Sequence, residues 1–312
     1  MEIAFIGLGN MGSGMAANLA KARHGVRAFD LDAAAVARAV AAGCVAKASV
    51  ADAVAGTDAV VTMLPAGHHV RAVYADVFAA ASAGTLLIDA STIDVVTAQA
   101  VAADAATRGL SMVDAPVSGG TTAADAGTLT FMVGGGAEAF ARAQPILALM
   151  GKAVIHAGTV GMGQAAKLCN NMLLGIHMAG TCEAFVLAQR LGLDAQTFFD
   201  ISSKASGQNW SMTSYCPVPG PVPGAPSNRG YAGGFASALM LKDLKLALAA
   251  ASDSGTPVAM GAAAESLYAL FAGLGGAGTD FSGLIKLIDG SWERLYQVSW
   301  GLTQREGFPK RP

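Results

Sequence analysis

The chain has 312 residues, with 20 Lys and Arg against 22 Asp and Glu, a formal net charge of −2. No basic excess is available to neutralise phosphates, which excludes an ordinary nucleic-acid binder. Charged residues are 13% of the chain and hydrophobic ones 53%, against roughly 25% charged in an average soluble domain. A large core, or subunits that cover each other's faces, must hide the surplus.

From Met1 to about Gly161 short apolar runs alternate with Ala-rich stretches. The runs Ile3–Ile6, Val26–Phe29, Ala59–Met63, Leu86–Ile88 and Met112–Val113 predict buried strands. Between them, Ala33–Ala42 and Val95–Thr107 predict helices, because Ala is the best helix former. Such alternation predicts a mostly parallel sheet with helices on both faces. Thr128–Val133 and Ala153–Ile155 add two strands that finish the domain.

The second half reads as helix only. Met162–Arg190 is one long helix, followed by Ala195–Lys204, Leu239–Ser252, Val258–Phe271 and Phe281–Ile288. The expected division is an α/β domain over 1–161 and an all-α domain over 162–312, joined by the long helix. The Cys216–Pro226 segment, CPVPGPVPGAP, is expected to be an ordered loop pinned by Trp210, Tyr215, Tyr231 and Phe235.

Mean hydropathy is +0.46, which raises a membrane question, since a spanning helix needs about 20 apolar residues in a row. Met172–Leu187 is interrupted by His177, Thr181 and Glu183 and reads as a buried helix, so no membrane role is expected. The N-terminus runs straight into a strand pattern, so no signal peptide is expected. Cys44, Cys169, Cys182 and Cys216 lack CxxC spacing and read as small buried hydrophobes of a reducing cytosol. The five histidines form no metal-binding pattern, so no metal is expected.

Gly7-Leu8-Gly9-Asn10-Met11-Gly12 is a GxGxxG placed between the first strand and a helix through Ala16–Ala22. In that context Gly7 permits the tight turn, Gly9 lets a pyrophosphate approach the backbone and Gly12 lets helix and strand pack closely. The helix start then offers N–H groups to the anion. The next strand ends at Asp30, 18 residues after Gly12. A carboxylate there accepts from adenosine ribose hydroxyls and repels a 2′-phosphate, which points to NAD over NADP. Two later strand ends, Met63-Leu64-Pro65 and Asp89-Ala90-Ser91-Thr92, should face the same cofactor, because open parallel sheets bind ligands beyond their carboxyl edge.

Lys167 and Asn171 lie four apart, one above the other on the long helix. An ammonium among Ala165, Ala166, Leu168 and Met172 is partly desolvated, which favours its neutral, basic form. A lysine snorkelling beside an asparagine fits the same spacing. Ser118, Gly119 and Gly120 offer a hydroxyl and open N–H groups for a carboxylate, and equally a plain Gly-rich turn. Lys242-Asp243 sits in an apolar helix, where a surface salt bridge is the simpler reading.

Four motifs in this order, Gly7–Ala17 (GLGNMGSGMAA), Asp114–Gly120 (DAPVSGG), Gly161–Asn171 (GMGQAAKLCNN) and Leu241–Leu244 (LKDL), resemble the β-hydroxyacid dehydrogenases over essentially the whole chain. The resemblance implies a Rossmann-type NAD domain followed by a helical domain, and the high apolar content and the long helix suggest subunit contacts through the helical half. It implies that Lys167 is the catalytic lysine and that Asn171 positions substrate. Ser118, Gly119 and Gly120 match its substrate-carboxylate loop. Leu64, Pro65 and Thr92 match nicotinamide-side contacts, and Lys242 the lysine that reaches the cofactor from the helical domain. The Trp210–Phe235 region is similar to members acting on (S)-3-hydroxyisobutyrate, which are expected to oxidise it with NAD to methylmalonate semialdehyde in valine breakdown. Tartronate semialdehyde, 4-hydroxybutyrate and serine are the alternative substrates, and a non-catalytic NAD-binding sensor or scaffold is the alternative of another class. Eukaryotic members carry a mitochondrial extension absent from this chain, so a cytoplasmic enzyme is expected, and the apolar content leads to an expected homodimer or homotetramer.

Overall fold

The structure is a computed structural model and describes residues 1–292. The residues from 293 onward, which the sequence reading assigns to the helical domain, lie outside the described residues. The first half runs β1 (Glu2–Ile6), α1 (Gly12–Lys21), β2 (Gly25–Phe29), α2 (Ala33–Ala41), β3 (Val45–Ala46), α3 (Val50–Val54) and β4 (Ala59–Thr62). It continues through α4 (Gly67–Ala80), β5 (Leu86–Asp89), α5 (Val95–Thr107), β6 (Ser111–Asp114), β7 (Val117–Ser118) and α6 (Gly120–Ala126). β8 (Leu129–Gly134), α7 (Ala137–Leu147) and β9 (Gly151–Gly158) close it. The second half holds α8 (Met162–Arg190), α9 (Ala195–Ser202), α10 (Trp210–Thr213), α11 (Ser237–Asp253), α12 (Ala259–Gly273) and α13 (Ile285–Ile288).

The sheet order is β3-β2-β1-β4-β5-β6-β8-β7, with β9 beside β8. The first six strands pair parallel, as the alternation predicts. β8 runs antiparallel to β6 and β7 and parallel to β9. β1, β4 and β5 are buried at every position except Glu2, which is why they are near-continuous apolar runs. Pleating sends Ile3, Phe5, Val61 and Ile88 to a core with Met15 and Leu19 of α1. Ala4, Ile6, Val60 and Leu87 go to the opposite face, against Val54 of α3, Tyr74 of α4 and Val101 of α5. The result is a three-layer α/β/α unit.

The chain divides into two compact units at Asn170/Asn171, inside α8. By length and composition α8 could cross a membrane, but half of its most apolar window is buried inside the protein. The described part of the second unit contains no strand. Its core gathers Met178, Cys182, Phe185, Met240, Leu244, Tyr268, Phe271 and Phe281. The predicted Phe281–Ile288 helix is a 3₁₀ turn, Phe281–Leu284, followed by the single turn of α13. Cys44, Cys182 and Cys216 are buried as expected, whereas Cys169 is exposed, because its position on α8 points away from the apolar stripe.

Side chains do pin the Pro-rich loop, and of the four expected aromatics Tyr231 is the one that bonds it. Tyr231 donates its hydroxyl to Pro217 O (2.8 Å), Ser227 to Cys216 O (2.8 Å), and Asn228 bonds Gly220 N–H and Val222 O (2.8 Å each). Trp210 and Tyr215 stack on each other at 5.1 Å, and Phe235 meets Phe281 edge-on. Asp280 joins these parts. It accepts from the Tyr215 hydroxyl (2.8 Å), from Phe235 N–H (2.8 Å), and from Ser282 N–H (3.0 Å) and hydroxyl (2.6 Å).

Asp280→Ala would strand those donors in a buried setting. A loss of about 3 kcal/mol in unfolding free energy is expected, read as a lower denaturation midpoint; an unchanged midpoint would remove Asp280 from this role.

Candidate active site

The sheet reverses its winding at β1, since β2 lies on one side of it and β4 on the other. Ligands of such sheets sit beyond the carboxyl edge at this switch point, and the Gly7–Gly12 turn stands there. Gly7 adopts φ +96°. Its N–H donates to Phe29 O (3.0 Å), and Met63 N–H donates to Ile6 O (2.9 Å), so the ends of β1, β2 and β4 are tied together. A Cβ on Gly7 would lie 2.3 Å from Met63 O, and one on Gly12 1.9 Å from Gly7 O. Both positions therefore require glycine for packing. Gly9 differs, since a Cβ there would meet nothing within 4 Å. Gly9 and Asn10 are exposed, Met11 is half-buried, and no side chain caps α1. A bare backbone crest before an uncapped helix fits a pyrophosphate.

Asp30 follows β2 and already holds the turn. Its carboxylate accepts from Leu8 N–H and from Asp32 N–H (2.8 Å). Each carboxylate oxygen keeps further acceptor capacity, so ribose hydroxyls can add to these bonds. Leu64 and Pro65 follow β4, and Thr92 follows β5. Leu64 N–H donates to Ser91 Oγ (2.8 Å). Ser91 in turn donates to Asp89 Oδ1 (2.5 Å), which also accepts from Thr62 (2.8 Å). Burial raises the Asp89 carboxyl above the ordinary carboxylate range.

Ser118 ends β7, paired with Thr130, and Gly119 and Gly120 start α6. Both glycines have positive φ (+134° and +70°) and no side chain caps α6. What the sequence leaves as a Gly-rich turn is thus a strand-to-helix corner with its backbone open.

Lys167 is buried at 7% exposure, on the second turn of α8. The start of that helix is held from the sheet. Asp114, at the end of β6, accepts from Gly161 N–H (2.7 Å) and Gln164 N–H (2.9 Å). A Cβ on Gly163 would come 2.7 Å from Asp114 Oδ2, and one on Gly134 2.4 Å from Oδ1. Glycine at both positions lets strand, carboxylate and helix close up. Asn171, one turn beyond Lys167, is buried in the second unit and donates to Asp243 (2.5 Å). Lys242 Nζ lies 3.2 Å from the other Asp243 oxygen, as an ion pair rather than a hydrogen bond. The Lys242-Asp243 pair is therefore no plain surface bridge, because Asp243 is only 2% exposed.

The comparisons with known proteins place the chain in a family. Residues 2–158 match a family described as the NAD-binding domain of 6-phosphogluconate dehydrogenase. Residues 161–288 match one described as NAD-binding of NADP-dependent 3-hydroxyisobutyrate dehydrogenase. A 3-hydroxyisobutyrate dehydrogenase of Pseudomonas aeruginosa is 50% identical over 93% of this chain and 99% of its own length. The chain belongs to the β-hydroxyacid dehydrogenase family. Another relative from the same organism, a NAD-dependent L-serine dehydrogenase, is 49% identical over 92% of this chain and 98% of its own. A structure of Mycobacterium tuberculosis 3-hydroxyisobutyrate dehydrogenase with L-serine superposes with a TM-score of 0.88, at 49% identity, over 92% and 98% of the two chains. The cofactor of this β-hydroxyacid dehydrogenase is NAD.

Sequence reasoning singles out no role for Asp89, Asp114 or Gln164 in holding the site. Asp114 opens the DAPVSGG motif and Asp89 a strand end, which is a signal of position. Apart from Ser91 beside Asp89, their side-chain partners lie 27 to 73 residues away and leave no spacing to read.

Burial pushes the Asp114 carboxyl up to about 6, against the pull of its N–H donors. With the folded value above the unfolded one, protonation favours the folded state. That contribution is complete below about 4 and is lost as pH rises through about 6. The unfolding free energy of the wild type, minus that of Asp114→Asn, should fall across this window by at most about 1.4 kcal/mol per pH unit. A flat difference in denaturant titrations would give Asp114 an ordinary carboxyl.

Proposed function

We propose that this enzyme oxidises (S)-3-hydroxyisobutyrate to methylmalonate semialdehyde with NAD, a step of valine breakdown. The observation that carries the reading is Lys167, a buried lysine at the family's motif position, on a helix whose first turn is bolted to the carboxyl edge of the sheet. NAD held by the Gly7–Gly12 turn would supply the hydride acceptor for the carbinol carbon. Lys167 Nζ takes the hydroxyl proton as general base. The Ser118 hydroxyl and the Gly119 and Gly120 N–H groups take the substrate carboxylate, which sets the β-hydroxyl in register. Asn171 holds the hydroxyl side, and its bond to Asp243 fixes its amide.

For the cofactor, Gly7, Leu8, Gly9, Asn10, Met11 and Gly12 cradle the pyrophosphate and Asp30 binds the ribose. Leu64, Pro65 and Thr92 serve the nicotinamide side. The assignment of Lys242 to the cofactor rests on the family match. A carboxylate at Asp30 supports NAD over NADP by repelling a 2′-phosphate.

L-Serine is the second reading, favoured by the names of two relatives near 49% identity. It carries the same carboxylate and β-hydroxyl, so these residues would handle both. Steady-state NADH formation with a panel of β-hydroxyacids separates them. (S)-3-Hydroxyisobutyrate is expected to have the highest kcat/KM, and NADP at least about tenfold less activity than NAD. L-Serine ahead by tenfold would reassign the substrate. Lys167→Ala is expected to lose about 10²–10⁴ in kcat with NAD affinity little changed. Retained turnover would sink the mechanism.

We also infer a cytoplasmic homodimer or homotetramer. The helical unit leaves Leu173, Leu187, Leu191, Met260 and Leu270 more than half exposed, which supports subunit contacts through that half. Light scattering should return a multiple of the chain mass, and a monomer at micromolar concentration would refute it.

A further inference from the structure

We propose that Gln164 is a positioning residue that sets Thr92 and the Lys167 turn in one frame. The proposal rests on the reading of Lys167 as proton acceptor and Thr92 as a nicotinamide-side residue.

The Gln164 side chain is fully buried and spans the two peptide groups that flank Thr92. Its Nε2 donates to Ser91 O (2.8 Å), and its Oε1 accepts from Ile93 N–H (3.1 Å). The amide orientation is forced, because the reverse would face donor with donor and oxygen with oxygen. Ser91 and Ile93 are themselves buried at 0% and 1% exposure, while Thr92 between them is half-buried. The far side of the segment is held as well, since Ser91 Oγ accepts from Leu64 N–H and donates to Asp89. Thr92 is thus suspended between fixed neighbours, and one of the two clamps is the helix that bears Lys167.

Gln164 is anchored at its other end too, by its own N–H on Asp114 Oδ2 (2.9 Å). Lys167 follows three residues later, about 4.5 Å along the helix and on the same broad face. Any shift of this turn relative to the β5 loop therefore breaks two buried hydrogen bonds. An apolar side chain could fill the same volume, but it could neither donate to Ser91 O nor accept from Ile93 N–H. The polar choice is accounted for by register between the loop and the helix. Catalysis is sensitive to such register, since about 1 Å of misplacement can cost on the order of 100-fold in rate.

The test is Gln164→Met, which keeps volume and removes both bonds, with Gln164→Ala as a second variant should the thioether not pack. Two readouts are needed on folded protein. In wild type and variant without cofactor, amide exchange at Ile93 is followed by NMR; with NAD and substrate, kcat and the NAD Kd are measured separately. The expected result is Ile93 exchange at least about tenfold faster, kcat down at least about tenfold, and NAD Kd within threefold. The role is overturned if Ile93 exchange is unchanged, if kcat stays within twofold, or if the loss falls on NAD Kd with kcat intact. Lys167→Ala, measured in parallel, keeps the two ideas apart. If it loses turnover while Gln164→Met keeps it, the positioning role alone fails. If Lys167→Ala retains turnover, the proton-acceptor reading fails, while Ile93 exchange still decides whether Gln164 holds the loop.

Discussion

A buried carboxylate sits where the sheet hands the chain to its longest helix. Asp114 closes β6 and takes the N–H groups of Gly161 and Gln164, two of the donors that a helix start leaves without partners. Side chains larger than hydrogen at Gly134 and Gly163 would occupy the space of that carboxylate. The direction in which α8 leaves the sheet, and with it the place of Lys167, therefore depends on one acid and two glycines. Burial makes the ionised acid costly, and the raised carboxyl is the trace of that cost.

The same logic of backbone ends satisfied from a distance governs the rest of the carboxyl edge. The reversal of winding at β1 opens a crevice between the β2 and β4 sides. Gly7 and Gly12 close the turn tightly enough for the strand ends to bond one another, and Gly9 leaves its crest bare. Asp30 and Asp89 then act as staples, one holding the glycine turn and the other the loops after β4 and β5. A preorganised edge of this kind removes loop ordering from the cost of binding a ligand there.

Much of this was legible in the residues. Unbroken apolar runs mark the buried strands, and helical composition marks Val95–Thr107 and Met162–Arg190, with the same bounds in the structure. The short elements were not. β3 and β7 have two residues each and α3 has five, too few for a period to show, and their neighbours hold them in place. Cysteine is usually buried, but Cys169 is exposed on its helix face. At the site, GxGxxG and the acid at the end of β2 announce themselves by spacing. The bond from Asn171 to Asp243 does not, because it spans 72 residues.

By itself the sequence determined the class of fold, the place of the glycine turn and the place of the motif lysine, since each rests on local period, local spacing or an ordered set of motifs. Only the tertiary structure decided that β8 runs against β6 and β7, that Asp114 caps α8 from the sheet, and that Gln164 reaches back to Ser91 and Ile93. Those pairings join residues tens of positions apart. Their energy comes from burial and from satisfied backbone groups, neither of which exists until the layers have packed.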